Sequence, residues 1–245
     1  MHKLPDFGLL WVYLSASPLL GLTLTLCAYV CAHWLYARCN YSPLVNPVAI
    51  AVALVCAVLA VSGMSYHEYF SGAQFVHFLL GPATVALAIP LVRQLPRLRR
   101  TFLPLFCGLV CGSATAIFSA VAMMIVMGGS NQLVVSIGPK SATTPIAMAV
   151  SEKLGGLPAV TAVLVISTGI FGAIVARFLF ERLRIKSAEI QGFALGVASH
   201  GIGTARAFQV SPEMGAFAGL GMGLNGVLTA LMAPWLIPAV VRLFA

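Results

Sequence analysis

The sequence is poor in acidic residues, and none of them lies inside a long apolar run. Aspartate and glutamate together number six among 245 residues, and charged residues of both signs make up 8%. The six lie at the ends of apolar runs or between them: Asp6, Glu68, Glu152, Glu181, Glu189 and Glu213. A cation antiporter uses a carboxylate near the middle of the membrane to bind sodium or relay protons. The pattern argues against that class, although carbonyls and hydroxyls remain able to bind sodium.

Motifs of common catalytic and cofactor sites are also missing. The chain has no HExxH or GxSxG motif and no aspartate pair inside an apolar run, so we expect no enzyme. Its six cysteines show no CxxC or Cys/His ligand spacing, which favours small packing residues over metal ligands or disulfides. Neither GIGTAR nor GLGMGLNG follows a predicted strand, as a nucleotide fingerprint would. We therefore predict that the protein binds no cofactor.

Hydrophobic residues, by contrast, make up 60% of the chain, and the mean hydropathy is +0.99. Both values are typical of an integral membrane protein. A membrane-spanning helix needs about 20 apolar residues, and eight runs are candidates: 9–37, 45–63, 73–92, 101–127, 131–152, 157–180, 188–210 and 213–243. We predict an all-α integral membrane protein in which residues 1–245 form a single transmembrane domain.

Basic residues gather between apolar runs. One cluster contains Arg93, Arg97, Arg99 and Arg100, and another contains Arg182, Arg184 and Lys186. Such clusters mark the cytoplasmic loops of membrane proteins. We therefore place the loops 93–100 and 181–186 in the cytoplasm, and we expect no nucleic-acid partner despite the net charge of +8.

Two of the eight runs are interrupted. Gly138, Pro139 and Pro145 break the run 131–152, and the stretch SHGIGTAR breaks the run 188–210. Proline and glycine free backbone groups that lipid cannot satisfy, so both elements belong in the protein interior. Eight complete crossings would put the two basic loops on opposite sides of the membrane. A re-entrant hairpin in the first interrupted run puts both in the cytoplasm.

We therefore favour about six complete crossings with two re-entrant elements of opposite orientation. Eight crossings with two discontinuous helices remain the alternative. Both arrangements correspond to a transporter-like inverted-repeat architecture, in which half-helix N-termini and freed backbone groups face a substrate near the midplane.

The first interrupted element carries a cation next to a predicted helix start. Lys140 lies far from either end of its run, where a charge in lipid costs about 3 kcal/mol even on lenient scales. Ser141, Thr143 and Thr144 supply hydroxyls that are able to cap a helix, and Pro145 suits its first turn. A cation beside a helix N-terminus is a natural anion site. The alternative is that Lys140 extends to the membrane interface.

The second interrupted element supplies hydroxyls and further donors: Ser199, His200, Thr204 and Arg206. Gly201 and Gly203 would let the backbone approach a ligand closely. An interfacial position for Arg206 and a purely structural role for His200 remain alternatives. Since no acid lies nearby, we predict that the two elements together bind an anion.

Several stretches resemble the LrgB/CidB family of bacterial inner-membrane proteins. The most specific are SIGPKSATTPIAMAVSEKLGGLPAVTA (136–162), GVASHGIGTARAF (196–208) and EMGAFAGLGMGLNGVLTALMAP (213–234). The earlier half matches through YSPLVNPVAIAV (41–52), with a predicted break at Asn46 and Pro47, and through LLGPATVALAIPL (79–91). The resemblance covers nearly the whole chain.

The resemblance implies two kinds of function. Bacterial members are described as holin-like or antiholin-like factors that influence murein hydrolase activity and lysis, usually with a smaller membrane partner of the LrgA/CidA type. The related plant plastidial protein exchanges glycolate and glycerate, and bacterial members are connected with pyruvate or acetate movement. We expect an inner-membrane transporter of small monocarboxylates that works by alternating access, with lysis regulation as the alternative. A homodimer is compatible with both.

Overall fold

A computed structural model describes residues 18–42, 45–86, 92 and 95–244, and all the regular structure in these ranges is helical. The chain divides into two compact units, Met1–Ala86 and Leu87–Ala245. That the two units form one transmembrane domain stays a prediction.

The first unit contains helices α1 (Pro18–Arg38), α2 (Pro47–Ser62) and α3 (Tyr66–Ala86). Helix α1 packs against both of the others. Gly21 permits one close approach, because a Cβ there would collide with the Tyr69 carbonyl oxygen. The Thr25 hydroxyl donates to the Gly21 carbonyl at 2.7 Å and lies 2.8 Å from the Tyr69 hydroxyl.

Capping residues set the starts of α2 and α3. Asn46 accepts hydrogen bonds from the Val48 and Ala49 amides, and Pro47 begins α2, so this predicted break is a helix start. Helix α3 begins at Tyr66 rather than at residue 73, because Ser65 and Glu68 cap each other's amides. The end of the predicted run, 87–91, lies outside the described residues.

The second unit contains seven described helices. They are α4 (Leu95–Arg100), α5 (Phe102–Val126), α6 (Asn131–Ile137), α7 (Thr144–Lys153), α8 (Pro158–Arg182), α9 (Ala188–Val210) and α10 (Pro212–Phe244). Among the described residues, α1, α5, α8 and α10 are long and apolar enough to cross a membrane. Large apolar side chains also face outward, including Phe171 and Trp235. These features confirm an all-helical membrane protein.

Helix α10 is the element on which both interrupted segments pack. Its 33 residues correspond to a length of about 50 Å. One core cluster joins α5, α6 and α7 to its C-terminal half: Ile117, Val121, Val134, Val150, Ala233, Ile237 and Val240. Another joins α8 and α9 to its N-terminal part: Phe180, Leu195, Ala207, Met214 and Ala218. Each interrupted segment therefore lies along a different half of α10.

Candidate functional site

The segment 131–153, called hairpin A below, runs towards the middle of α10 and back. Its two ends, Asn131 and Leu154, line one cavity together with the last part of α10. Between them, the Ser141 carbonyl accepts a hydrogen bond from Asn225, a residue in the middle of α10. The prediction of a break is confirmed, because α6 ends at Ile137 and α7 begins only at Thr144.

Hydroxyl groups tie each arm of hairpin A to the start of α8. The Ser136 hydroxyl of the first arm donates to the Gln132 carbonyl at 2.6 Å and accepts from the Leu157 amide at 2.8 Å. The Thr161 hydroxyl donates to Ser151 Oγ of the second arm at 2.8 Å. Since all of these groups are paired, they form a satisfied polar network between hairpin A and α8.

The segment 188–210, called hairpin B below, reverses direction at Ser199 and His200. Both residues have non-helical backbone angles, and His200 has the positive φ of 42°. The first arm runs parallel to the start of α10, because Gly192 lies against Met214 and Gly196 against Ala218.

The second arm of hairpin B runs antiparallel to the same part of α10. Phe208 packs on Gly215, and the Thr204 hydroxyl lies 3.8 Å from the Met222 sulfur. Hairpin B therefore rises from the N-terminal end of α10, whereas hairpin A comes from its C-terminal end.

The tips of the two hairpins meet at Asn225, whose side chain is 1% exposed. Its Nδ2 donates to the Ser141 carbonyl of hairpin A and to the Val197 carbonyl of hairpin B, both at 3.0 Å. Its Oδ1 accepts from the Ser113 hydroxyl at 2.5 Å and from the Thr229 hydroxyl at 3.4 Å. One amide therefore ties both interrupted segments to α5 and α10.

Asn225 was not among the predicted site residues, because its stretch GLGMGLNG was considered only as a nucleotide motif and as part of the family resemblance. A signal was present in the sequence. Asn225 is an amide side chain in the interior of a long apolar run, where an unpaired polar group is costly.

The tip of hairpin A holds the predicted cation beside a helix start. Lys140 is half-buried, whereas Gly138, Pro139 and Ser141 are buried. Pro145 lies in the first turn of α7, as predicted. The predicted capping by hydroxyls is wrong at Thr143, which precedes α7 but makes no side-chain cap hydrogen bond. Thr144 is the first residue of α7 and is half-buried.

The tip of hairpin B is anchored to α8 by a histidine. His200 Nε2 lies 2.9 Å from the Val165 carbonyl oxygen, so that ring nitrogen carries the proton and donates. The ring packs on Gly169, where a Cβ would lie 2.7 Å from it. The His200 carbonyl in turn accepts from the Thr204 hydroxyl at 2.9 Å. His200 therefore has a structural partner, the alternative that the sequence left open.

The tip of hairpin B also contains Ser199, whose side chain is buried. Its side chain is fully buried against Gly172, and within the described part of the chain its Oγ has no hydrogen-bond partner. A buried hydroxyl without a partner costs free energy, and native structures contain few of them. A Cβ on Gly203 would lie 2.7 Å from the Leu195 carbonyl oxygen, so the two arms of hairpin B are in close contact there. Gly201, by contrast, is exposed.

Arg206 lies apart from the two tips. It lines a cavity of about 630 Å³ near the C-terminal end of α8, together with Arg177, Arg184 and Lys186. Its Nη1 donates to Gln209 Oε1 at 3.2 Å. No residue of hairpin A lines this cavity. The structure thus brings the two tips together at Asn225 and leaves Arg206 near the basic loop 181–186.

The two tips combine groups that suit an anion. Lys140 contributes positive charge, Ser199 contributes a hydroxyl that has no partner among the described residues, and α7 begins without a side-chain cap. The N-terminus of a helix carries partial positive charge and outward-pointing amides. No acidic residue belongs to either tip, 138–143 or 197–204. These groups are chemically suited to an anion.

Comparison with known proteins places this chain in a family. A family model described as the LrgB-like family matches residues 25–239. The holin-like protein CidB of Staphylococcus epidermidis is 32% identical over 95% of this chain and 98% of its own length. The antiholin-like protein LrgB of Bacillus cereus is 29% identical over 91% of this chain and 97% of its own length.

A further relative is the uncharacterized protein YwbG of Bacillus subtilis, which is 34% identical over 89% of this chain and 97% of its own length. No solved structure matches the chain. The matches extend over nearly all of the described helices, so hairpins A and B both lie inside the shared region.

Proposed function

Because the chain belongs to the LrgB-like family, we propose that it is a membrane carrier of small monocarboxylates such as glycolate, glycerate or pyruvate. The observation that carries the proposal is the meeting of two chain reversals, from opposite ends of α10, at Asn225. Opposed interrupted helices that meet inside a helical unit are the usual substrate site of secondary transporters.

The substrate carboxylate binds between the two tips. Lys140 supplies the charge, and Ser141, Thr143 and Thr144 surround the start of α7 on the side of hairpin A. Ser199, His200 and Thr204 complete the site on the side of hairpin B. Ser199 Oγ is the group best suited to donate to the substrate, because its hydroxyl has no other partner among the described residues. Arg206 contributes from the cavity beside the loop 181–186, where it attracts anions towards hairpin B.

In this proposal the two hairpins are re-entrant in the bacterial inner membrane. The N-terminal ends of α5 and α9 lie at the same end of the second unit, since Thr101 and Glu189 line the same groove. This end carries the basic residues of α4 (Leu95–Arg100) and the basic loop 181–186, and the positive-inside rule assigns it to the cytoplasm. Hairpin B then enters from the cytoplasm and hairpin A from outside. Alternating access exposes the shared site first on one side and then on the other.

Uptake of labelled glycolate into proteoliposomes tests the proposal. We expect the wild type to accumulate glycolate and Lys140→Met to reduce the initial rate by about tenfold or more, since a charge-assisted hydrogen bond is lost. Lys153→Met is the matched control, because Lys153 is exposed at the end of α7. If Lys140→Met leaves uptake unchanged, the proposed binding site is wrong. If the protein takes up no small acid, with or without an LrgA/CidA-type partner, the proposed transport function is wrong.

The names of the relatives favour a second candidate, a holin-like or antiholin-like regulator. In that function the protein assembles with a small membrane partner or with a second copy and moves no solute. Gly223 offers a test surface, because it is exposed on α10 and has open space around it. A regulator predicts that Gly223→Leu changes lysis of the producing cells and that Lys140→Met does not. A carrier predicts that Lys140→Met has the larger effect and Gly223→Leu the smaller one.

A further inference from the structure

We infer that Asn225 is a positioning residue that couples the movements of hairpins A and B. Its side chain offers two donors and two acceptor positions, and all four are used inside the second unit. Each donor serves a different hairpin. No other described side chain hydrogen-bonds to both tips.

The orientation of this amide follows from its neighbours. The Ser141 and Val197 carbonyls accept hydrogen bonds and cannot donate, so the nitrogen of Asn225 must face them. The hydroxyls of Ser113 and Thr229 are then left to donate to its oxygen. A rotated amide would place its oxygen against two carbonyl oxygens. The network therefore has one arrangement, and both tips belong to it.

A movement of either tip changes this network for the other. If hairpin A withdraws, Asn225 loses the Ser141 carbonyl and keeps an unpaired buried donor beside hairpin B. Such a donor is expensive inside an apolar interior. Asn225 then favours states in which both tips are engaged or both are released. The inference concerns the protein's own motion, so it can fail while glycolate uptake persists, and it can hold if no solute is carried.

Hydrogen exchange of the purified protein in lipid nanodiscs tests the coupling. The readout is the exchange rate of peptides covering the two tips, 138–147 and 196–204. Asn225→Asp keeps the shape of the side chain but replaces the donating group with an oxygen. We expect exchange to increase in both tips, on the order of tenfold or more. Asn131→Asp, an exposed position at the start of hairpin A, is the matched control and should leave both tips unchanged.

A second variant separates coupling from a simple loss of stability. Ser136→Ala removes a hydroxyl that ties the first arm of hairpin A to the start of α8, and hairpin B makes no hydrogen bond to that hydroxyl. With Asn225 present, we expect it to raise exchange in the tips of both hairpins. In the Asn225→Asp background, it should affect hairpin A alone. Purely additive effects, or a change in only one tip with Asn225→Asp, would overturn the inference.

A milder substitution serves if Asn225→Asp fails to fold. Ser113→Ala removes one of the two hydroxyls that orient the amide, and it leaves both carbonyl bonds in place. We expect a several-fold rise of exchange that is equal in the two tips, because the amide that loosens is shared. A rise confined to one tip, or none at all, would contradict coupling through Asn225.

Discussion

Hairpins A and B reach the same amide from opposite ends of α10, but they turn in different ways. Hairpin A uses the turn 138–143 between two separate helices, whereas hairpin B reverses within Ser199 and His200. The turn of A holds a half-buried lysine, and the turn of B is buried around a histidine that is bonded to α8. The turn of B is therefore held to α8 by a side-chain hydrogen bond, whereas the charged side chain in the turn of A is partly accessible.

The glycines of the two hairpins show the same contrast. In hairpin B, a Cβ at Gly192 or Gly196 would meet backbone carbonyl groups of α10. In hairpin A, a Cβ at Gly138 would meet the end of the Ile237 side chain. A side chain can move aside, but a helix backbone in a packed unit cannot. Hairpin B is therefore fitted to α10 more rigidly than hairpin A.

The largest effect is expected from adding one methyl group at these glycines. Gly196→Ala should destabilise the protein by about 3 kcal/mol or more, since the methyl group collides with the Ala218 carbonyl. Gly138→Ala should change stability by only about 1 kcal/mol, because Ile237 can adjust and alanine favours a helical backbone. Thermal unfolding in detergent, followed by tryptophan fluorescence, measures both. Equal losses would show that the hairpins are equally rigid.

His200 should give the next largest effect. His200→Ala removes the hydrogen bond to the Val165 carbonyl and leaves a cavity on Gly169, which should cost about 2–4 kcal/mol. His200→Gly loses the same contacts but adopts the positive φ without strain, so it should be more stable than the alanine variant by about 1 kcal/mol. The difference in melting temperature between the two variants is the measurement. A glycine variant that is less stable than the alanine variant would contradict the role assigned to the turn.

Alanine substitutions of Ser136 and Ser199 should have different effects, the first on stability and the second on substrate binding. Ser136→Ala breaks two hydrogen bonds of the first arm of hairpin A and should cost about 1–3 kcal/mol. Ser199→Ala removes a hydroxyl that has no partner in the described part of the chain, so stability should stay the same or rise by up to about 1 kcal/mol. Glycolate uptake should fall with Ser199→Ala alone. A marked loss of melting temperature with Ser199→Ala would show that this hydroxyl has a structural partner.

The smallest effects are expected at the helix starts of the two hairpins. Ser187 caps the first arm of hairpin B through the Ile190 amide at 3.3 Å, so Ser187→Ala should cost about 1 kcal/mol. Thr143→Ala should cost less than about 0.5 kcal/mol, because Thr143 makes no side-chain cap hydrogen bond. Chemical unfolding of the two variants side by side resolves the difference. A larger loss at Thr143 would mean that its hydroxyl already serves the fold.

The interrupted elements were predictable because proline and glycine act locally. Pro139 and Pro145 each remove a helical hydrogen bond, and the loop charges pointed to a return of the chain. Proline alone does not decide the matter, because Pro234 and Pro238 lie inside α10. The start of α3 was misplaced because Ser65 and Glu68 were not weighed as a reciprocal cap. Apolar periodicity alone does not reveal such a cap.

The composition of the site depended on contacts between distant segments, which the sequence does not display. Arg206 was grouped with Ser199 because they are close in the chain, yet the returning arm of hairpin B carries Arg206 away from the tip. Asn225 was missed for the opposite reason, since its partners Ser141 and Val197 are far from it in sequence. Local patterns identified the two reversals, and only the packing of α10 showed what joins them.

The position of Asn225 also has a consequence for the biosynthesis of the protein. It follows Ser141 by 84 residues and Val197 by 28, so both hairpins are synthesised before the amide that satisfies their tips. Until α10 is synthesised, the Ser141 and Val197 carbonyl groups therefore lack the donor that they share in the folded protein. The two hairpins reach their folded arrangement only after α10 joins them.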